Sequence, residues 1–233
     1  NIITPLYVRS LHFFGMSGKV AALAPYFIGD WQGLLNGEPA STSRSAFGDP
    51  RVRLTVSFLG APALALREFA GYRQKTILGA GLDVIIPIGE YDPDKIINLG
   101  TNRWSFRTSV GGSQALGRLT LELLADAWFF TENPESLNGA TVKQDPILGL
   151  QGHVIYTFAR WIWVGLDAGF GSGGQTTVDG VAKDNNQNSS RGGVTFGFTL
   201  GRRHGLKLSY VSAISTRIGA DLDIIVAGYQ YRW

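Results

Sequence analysis

Apolar and polar residues take turns along most of this chain. Between 76 and 86 (TILGAGLDVII), Leu78, Ala80, Leu82, Val84 and Ile86 fall on one face, while Ile77, Gly79, Gly81, Asp83 and Ile85 fall on the other. The run 104–112 sets Trp104, Phe106, Thr108 and Val110 against Arg103, Ser105, Arg107 and Ser109. RVRLTVSF (51–58) sets Val52, Leu54, Val56 and Phe58 against Arg51, Arg53, Thr55 and Ser57. The clearest case is 119–130: Leu119, Leu121, Leu123, Ala125, Ala127 and Phe129 alternate with Thr120, Glu122, Leu124, Asp126, Trp128 and Phe130. A period of two is that of a β-strand. One face is continuously apolar, and the charges of the other sit beside glycines rather than at strand ends. Lipid outside and a polar lumen inside require that division, so the pattern predicts an all-β, transmembrane antiparallel β-barrel.

Eleven segments carry the strand pattern: 3–14, 19–35 with an interruption at Pro25, 51–58, 76–86, 104–112, 119–130, 147–158, 161–172, 194–200, 206–212 and 220–233. The connections alternate. Those at 36–48, 89–102, 131–145 and 173–190 are long and polar; those at 15–18, 117, 160 and 202–205 are short. Short periplasmic turns and longer extracellular loops give that rhythm. Residues 61–71 break it, and Leu66, Phe69 and Ala70 suit a short amphipathic helix closed by Gly71 at the membrane interface, with a continued strand as the alternative. Tyr229, Tyr231 and Trp233 place aromatics on the lipid face at the membrane edge, and a terminal aromatic resembles the assembly signal of outer-membrane proteins. Residues 1–233 read as one barrel domain. Bacterial barrels have an even number of strands. The expectation is therefore about 12 strands (10–12), with either a partner segment upstream of Asn1 or residues 1–14 lying inside a ten-stranded barrel and partly occluding it.

Composition agrees. Hydrophobic residues make up 44% of the 233 and charged residues 17%, against about 25% charged in an average soluble domain. No run approaches the ~18 apolar residues of a membrane-spanning helix, and spreading apolar residues over alternate positions accounts for the mean hydropathy of +0.05. The chain has no cysteine, which fits an exported protein without disulfides. No signal peptide is visible at Asn1, as in a mature or trimmed chain. The net charge of +3 does not point to nucleic acid, because the basic residues are scattered along strands without a cluster of stacking aromatics.

The inward positions carry the candidate chemistry. Arg51, Arg53, Asp83, Arg103, Arg107, Glu122, Asp126, Asp167, Lys207 and Arg232 would line the lumen together with Trp128. Opposite charges there would pair across strands, since an unpaired buried ion costs several kcal/mol; Arg103 and Arg107 should meet Glu122 or Asp126. A filter for charged solutes is the other reading. Trp128, Phe130, Ile77, Ile85, Trp161 and Trp163 on the same face suit an amphipathic or apolar guest better. Pro25 and Pro87 lack the N–H a ladder needs and mark a lateral opening, or else the ends of strands. No catalytic set emerges: two residues beyond His12, His153 and His204 stand Phe14, Ile155 and Leu206, where a barrel phospholipase carries serine. Glu90, Asp92, Asp94 and Lys95 lack the glycine and closing glutamate of a calcium loop; a turn at Asp92-Pro93-Asp94 explains them. Neither metal nor cofactor is expected.

Seven stretches carry a further likeness: GDPRVRL (48–54), LGAPAL (59–64), GEYDPDKIINLGTNRW (89–104), QDPILGLQGH (144–153), VDG (178–180), TRIGADLD (216–223) and YQYRW (229–233). In this order they resemble a proteobacterial outer-membrane family named for a meta-pathway of phenol degradation. The resemblance covers nearly the whole chain. It implies a β-barrel channel of the bacterial outer membrane for uptake of hydrophobic molecules, and the expectation is a monomer in contact with outer-membrane lipid that admits a small hydrophobic or amphipathic molecule by passive diffusion. A narrow hydrophilic or ion-conducting pore and, further off, a lipid-modifying barrel enzyme are the alternatives.

Overall fold

The computed structural model describes residues 1–35, 37–64, 68, 72–201, 203–218 and 221–232. Leu66, Phe69, Ala70 and Gly71, expected in a helix, lie outside the described residues, as does Trp233.

The described residues form eighteen strands. The first six are β1 (Ile2–Ile3), β2 (Leu6–Phe13), β3 (Met16–Leu23), β4 (Tyr26–Leu35), β5 (Glu38–Phe47) and β6 (Arg51–Leu59). Next come β7 (Thr76–Ile85), β8 (Ser105–Leu116), β9 (Leu119–Phe130), β10 (Asn133–Ser136), β11 (Ala140–Gln144) and β12 (Ile147–Ala159). The last are β13 (Ile162–Gly173), β14 (Thr176–Val178), β15 (Val181–Ala182), β16 (Gln187–Leu200), β17 (His204–Thr216) and β18 (Ile224–Tyr231).

Eleven of them make one antiparallel sheet in the order β18-β17-β16-β13-β12-β9-β8-β7-β6-β3-β2. Each of the eleven segments with the strand pattern contributes one of these strands, though 19–35 also holds β4, which lies in another sheet. Each pairs with the next of the eleven along the chain, and two-residue turns join β2 to β3, β8 to β9 and β12 to β13. The β2–β3 turn uses Phe14 and Gly15 at φ 47° and 80°, a left-handed geometry that glycine adopts freely. β2 and β18 stand at the two ends of the sheet and run the same way.

The register fixes the faces. Arg53, Asp83, Arg107 and Trp128 are successive partners across β6–β9. So are Glu122, His153, Asp167 and Gly193 across β9–β16. These residues share the inner face, where Asp83 is 1% exposed and Arg107, Asp126, Thr195 and Ser209 are buried. The other face is an apolar exterior: Leu123 is 59% exposed and Leu148 and Leu166 are 62%. Such a surface is stable only in a non-aqueous surrounding. Aromatics gather at both ends of it. Tyr26 and Phe47 meet edge to face, and Trp104 and Phe106 stack, at the end with the longer connections. Tyr156 and Phe158 meet at the other. Two such girdles are the mark of a membrane-spanning strand wall.

The longer connections differ from expectation. The stretch 36–48, read as a polar loop, holds the whole of β5, which pairs with β4 from Tyr26↔Phe47 to Leu35↔Glu38. Its run of Ser, Thr and Ala shows no apolar period, because this hairpin projects beyond the exterior band and has no lipid face to present. The stretches 131–145 and 173–190 likewise carry β10, β11, β14 and β15, which form a four-stranded sheet of their own, while β1, β4 and β5 form a three-stranded one. The small sheets prolong the wall strands past short breaks, and proline sits in several of these breaks: Pro5 between β1 and β2, Pro25 between β3 and β4, Pro50 between β5 and β6, Pro146 between β11 and β12. Proline cannot donate to a ladder, so it collects where one sheet hands over to the next. Pro25 and Pro87 therefore stand beyond the last residues of β3 and β7, Leu23 and Ile85, rather than within the paired wall.

Candidate functional site on the inner face

The connection 86–104 is folded onto the rim of the wall. Asp49, two residues before β6, accepts hydrogen bonds from Gly89 N (2.9 Å), Thr101 N (2.8 Å) and Thr101 Oγ1 (2.7 Å). A Cβ on Gly89 would fall 2.5 Å from the Gly48 carbonyl carbon, so only glycine permits this approach. Arg44 of β5 donates to both carboxylate oxygens of Glu90 at 3.1 and 3.2 Å. On the far side, Asn133 Nδ2 donates to the Tyr91 hydroxyl at 2.8 Å and Asn102 Nδ2 to Asn133 Oδ1 at 3.0 Å. The stretches 48–54 and 89–104 are thus two halves of one clamp. The carboxylates that could have suggested calcium serve separate ends: Glu90 holds Arg44, while Asp92 caps its own turn through Asp94 N (3.0 Å) and pairs with Lys95 (2.8 Å). The Lys95 contact holds the Asp92 carboxyl below its usual pKa.

Below this clamp lies a cluster on β6–β9. Arg53 Nε donates to Asp83 Oδ1 at 2.7 Å, Arg51 approaches the same oxygen at 3.7 Å, and Arg107 approaches the other at 3.9 Å. Arg107 Nη2 donates to Asp126 Oδ2 at 2.8 Å, and Gln151 Nε2 donates to the same oxygen at 3.2 Å. The Arg51 and Arg107 guanidinium carbons lie 5.6 and 5.5 Å from the Trp128 ring centre, within cation–π range. Room for Asp126 comes from Gly149 on the next strand, where a Cβ would stand 2.7 Å from the carboxylate. The expected partnership of Arg107 with Asp126 is present. Arg103 departs from expectation: it precedes β8, donates to Gln144 Oε1 at 2.5 Å and lies 4.5 Å from the Phe130 ring centre. Glu122 meets neither arginine. It lies four residues along β9 from Asp126, more than 12 Å at strand rise, and its cross-strand partners are Ser113 and His153.

A second polar group crosses the middle of β12–β17. His153 Nδ1 lies 2.6 Å from Asp167 Oδ1, Thr195 Oγ1 donates to Asp167 Oδ2 at 2.6 Å, and Thr195 and Ser209 share a hydrogen bond of 2.9 Å. Sequence reading places Asp167 on the inner face but gives it no partners. His153 and Asp167 are cross-strand partners, a fact of register, and register between separate strands is not written in either strand alone. Lys207 and Arg232 occupy inner-face positions on β17 and just after β18, and neither side chain has a hydrogen-bond partner among the described residues.

The fold is that of an outer-membrane channel: the crystal structure of the COG4313 outer membrane channel from Pseudomonas putida F1 superposes with a TM-score of 0.78 at 21% identity, over 99% of this chain and 81% of that one. A family model described as the MetA-pathway of phenol degradation matches residues 2–220. The protein belongs to that family. No match was found among curated proteins. The apolar exterior with aromatic girdles at both ends is the surface by which such a fold sits in the bacterial outer membrane.

Proposed function

We propose that the protein is a monomeric channel through which small hydrophobic or amphipathic molecules cross the outer membrane by passive diffusion. The observation that carries this reading is the mixed inner face, where Arg51, Arg53 and Arg107 share space with Trp128, Phe130 and Ile85. A water-filled pore for ions has no use for those rings, whereas a guest with an apolar body does. We further propose that the sheet closes with one more strand between β2 and β18. Among the described residues neither has a partner on its outer edge, and both run the same way, so one strand running oppositely completes an antiparallel barrel of twelve. Phenol is a natural trial substrate, given the family's description.

A lateral exit into lipid is part of the proposal. It belongs at the rim beside Pro25 and Pro87, where the paired ladder of the wall gives way to isolated bonds: Gly48 N to Pro25 O and Ile86 N to Pro50 O, each 2.9 Å, and Gly89 N to Asp49. An apolar guest gains ~25 cal/mol per Å² by staying out of water, which favours leaving sideways. The test compares cells with and without the protein for uptake of a neutral apolar fluorescent tracer, alongside single-channel conductance of the purified protein. Faster tracer uptake is expected; conductance without tracer uptake would support the narrow hydrophilic pore instead. Pro87→Val should lose tracer uptake and keep conductance, and unchanged uptake in a folded variant would remove the exit from Pro87.

A further inference from the structure

The cluster around Asp83 has more donors than its own acceptors use. Three guanidinium groups face two carboxylates, leaving one positive charge. Arg51 makes no hydrogen bond among the described residues; its contacts are the 3.7 Å approach to Asp83 and the ring of Trp128. Arg53 engages Asp83 through Nε, and its two terminal nitrogens have no hydrogen-bond partner among the described residues. Arg107 is 8% exposed, and its Nε is buried without a partner. Asp83 is inaccessible at 1%, whereas the Arg51 and Arg53 side chains are 32% and 39% exposed. The carboxylate is the hidden anchor, and the guanidinium forks are what the interior presents. A planar fork of N–H donors fits a carboxylate in two parallel charge-assisted hydrogen bonds. Trp128 lies against Arg51 and Arg107, and its cross-strand partner Ile147 adds an apolar surface on the inner face.

We infer that Arg51 and Arg53, with Trp128 beside Arg51, form a binding site for the carboxylate head of an amphipathic anion whose apolar body lies on the ring. This rests on the channel reading and narrows it: among apolar guests, those bearing an acid group are retained at the arginines on their way through. Asp83 holds Arg53 and Asp126 holds Arg107 by hydrogen bonds, which leaves Arg51 free to turn toward the guest.

The probe pair is benzoate and benzyl alcohol, similar in size and differing in charge. Equilibrium dialysis against the folded protein in detergent is expected to show saturable binding of one benzoate per chain, with benzyl alcohol binding at least about tenfold more weakly. Arg51→Gln removes a fork that Asp83 does not need for a hydrogen bond. It should weaken benzoate by about tenfold, while Arg51→Lys, which keeps charge and loses the fork, falls between. Equal affinity for the two probes, or no saturable benzoate binding, overturns the inference without any variant. Unchanged benzoate affinity in Arg51→Gln overturns the assignment to Arg51. Uptake of the neutral tracer is measured separately: tracer uptake with no benzoate binding sinks this site and leaves the channel standing, and benzoate binding without tracer uptake does the reverse.

Discussion

At Asp83 three arginines converge on a carboxylate that accepts a single hydrogen bond, from Arg53. At Asp167 both carboxylate oxygens are taken, one by His153 and one by Thr195, and Thr195 passes its remaining capacity to Ser209. Both groups sit on the inner face and join neighbouring strands through a central acid. They differ in what is left over. The group on β12–β17 uses both oxygens of its acid within the wall, so that acid ties strands together and offers little to a guest. The group on β6–β9 keeps unused donors and a surplus positive charge beside an aromatic ring. A polar residue in an interior therefore says little about function until its partners have been counted.

The largest effect should follow from Asp83→Asn, which leaves three guanidinium groups facing one another without their anchor. Breaking a buried ion pair from one side costs about 3–5 kcal/mol, and urea unfolding of the folded protein should show a loss near the lower figure because two of the arginines are partly hydrated. Asp167→Asn keeps the shape and removes the charge from two hydrogen bonds; about 2 kcal/mol is expected in the same assay. A larger loss there than at Asp83 would reverse the contrast between anchor and strand tie. Thr195→Val should cost about 1 kcal/mol by leaving Ser209 and one oxygen of Asp167 without their partner. Arg51→Gln should change stability by less than about 0.5 kcal/mol, since no hydrogen bond of the wall depends on it; a loss comparable to that of Asp83→Asn would make Arg51 structural and erase the distinction.

The smallest effect concerns pH, at an acid outside both groups. Asp92 is held ionised by Lys95 and by the backbone of Asp94, and its pKa is depressed. A depressed carboxyl stabilises its turn above the unfolded pKa, about 3.9 for aspartate, and that contribution is lost as pH falls through the lower, folded value. Protease nicking of 86–104 should therefore stay constant from neutral pH down to the ordinary aspartate range and rise only in more acidic solution. A rise already near neutrality would mean that a different group holds this connection.

Much of the wall was legible beforehand because a membrane imposes a period of two on every crossing strand. The faces of 119–130 follow from Leu121, Leu123 and Ala125 alternating with Glu122, Leu124 and Asp126. The same signal fails wherever lipid is absent. β5, built on Ser41, Ser43 and Ser45, was invisible as a strand because both of its faces are polar or small until Phe47 at its end. The role of Pro25 and Pro87 was ambiguous for a related reason: proline announces a missing donor but not whether the ladder was due to continue.

Alternation by itself determined which residues face inward, and hence that Arg51, Arg53, Asp83, Arg107 and Asp126 belong to one interior. Only the tertiary structure decided who meets whom: Arg107 with Asp126, Arg103 with Gln144, His153 with Asp167, and Arg51 with a ring in place of a hydrogen bond. The division has a physical cause. Facing is a property of a single strand and is written in its own residues, whereas partnership depends on the offset between strands. That offset is set by turns, by bulges such as the one between Ser57 and Leu59, and by the packing of the whole sheet.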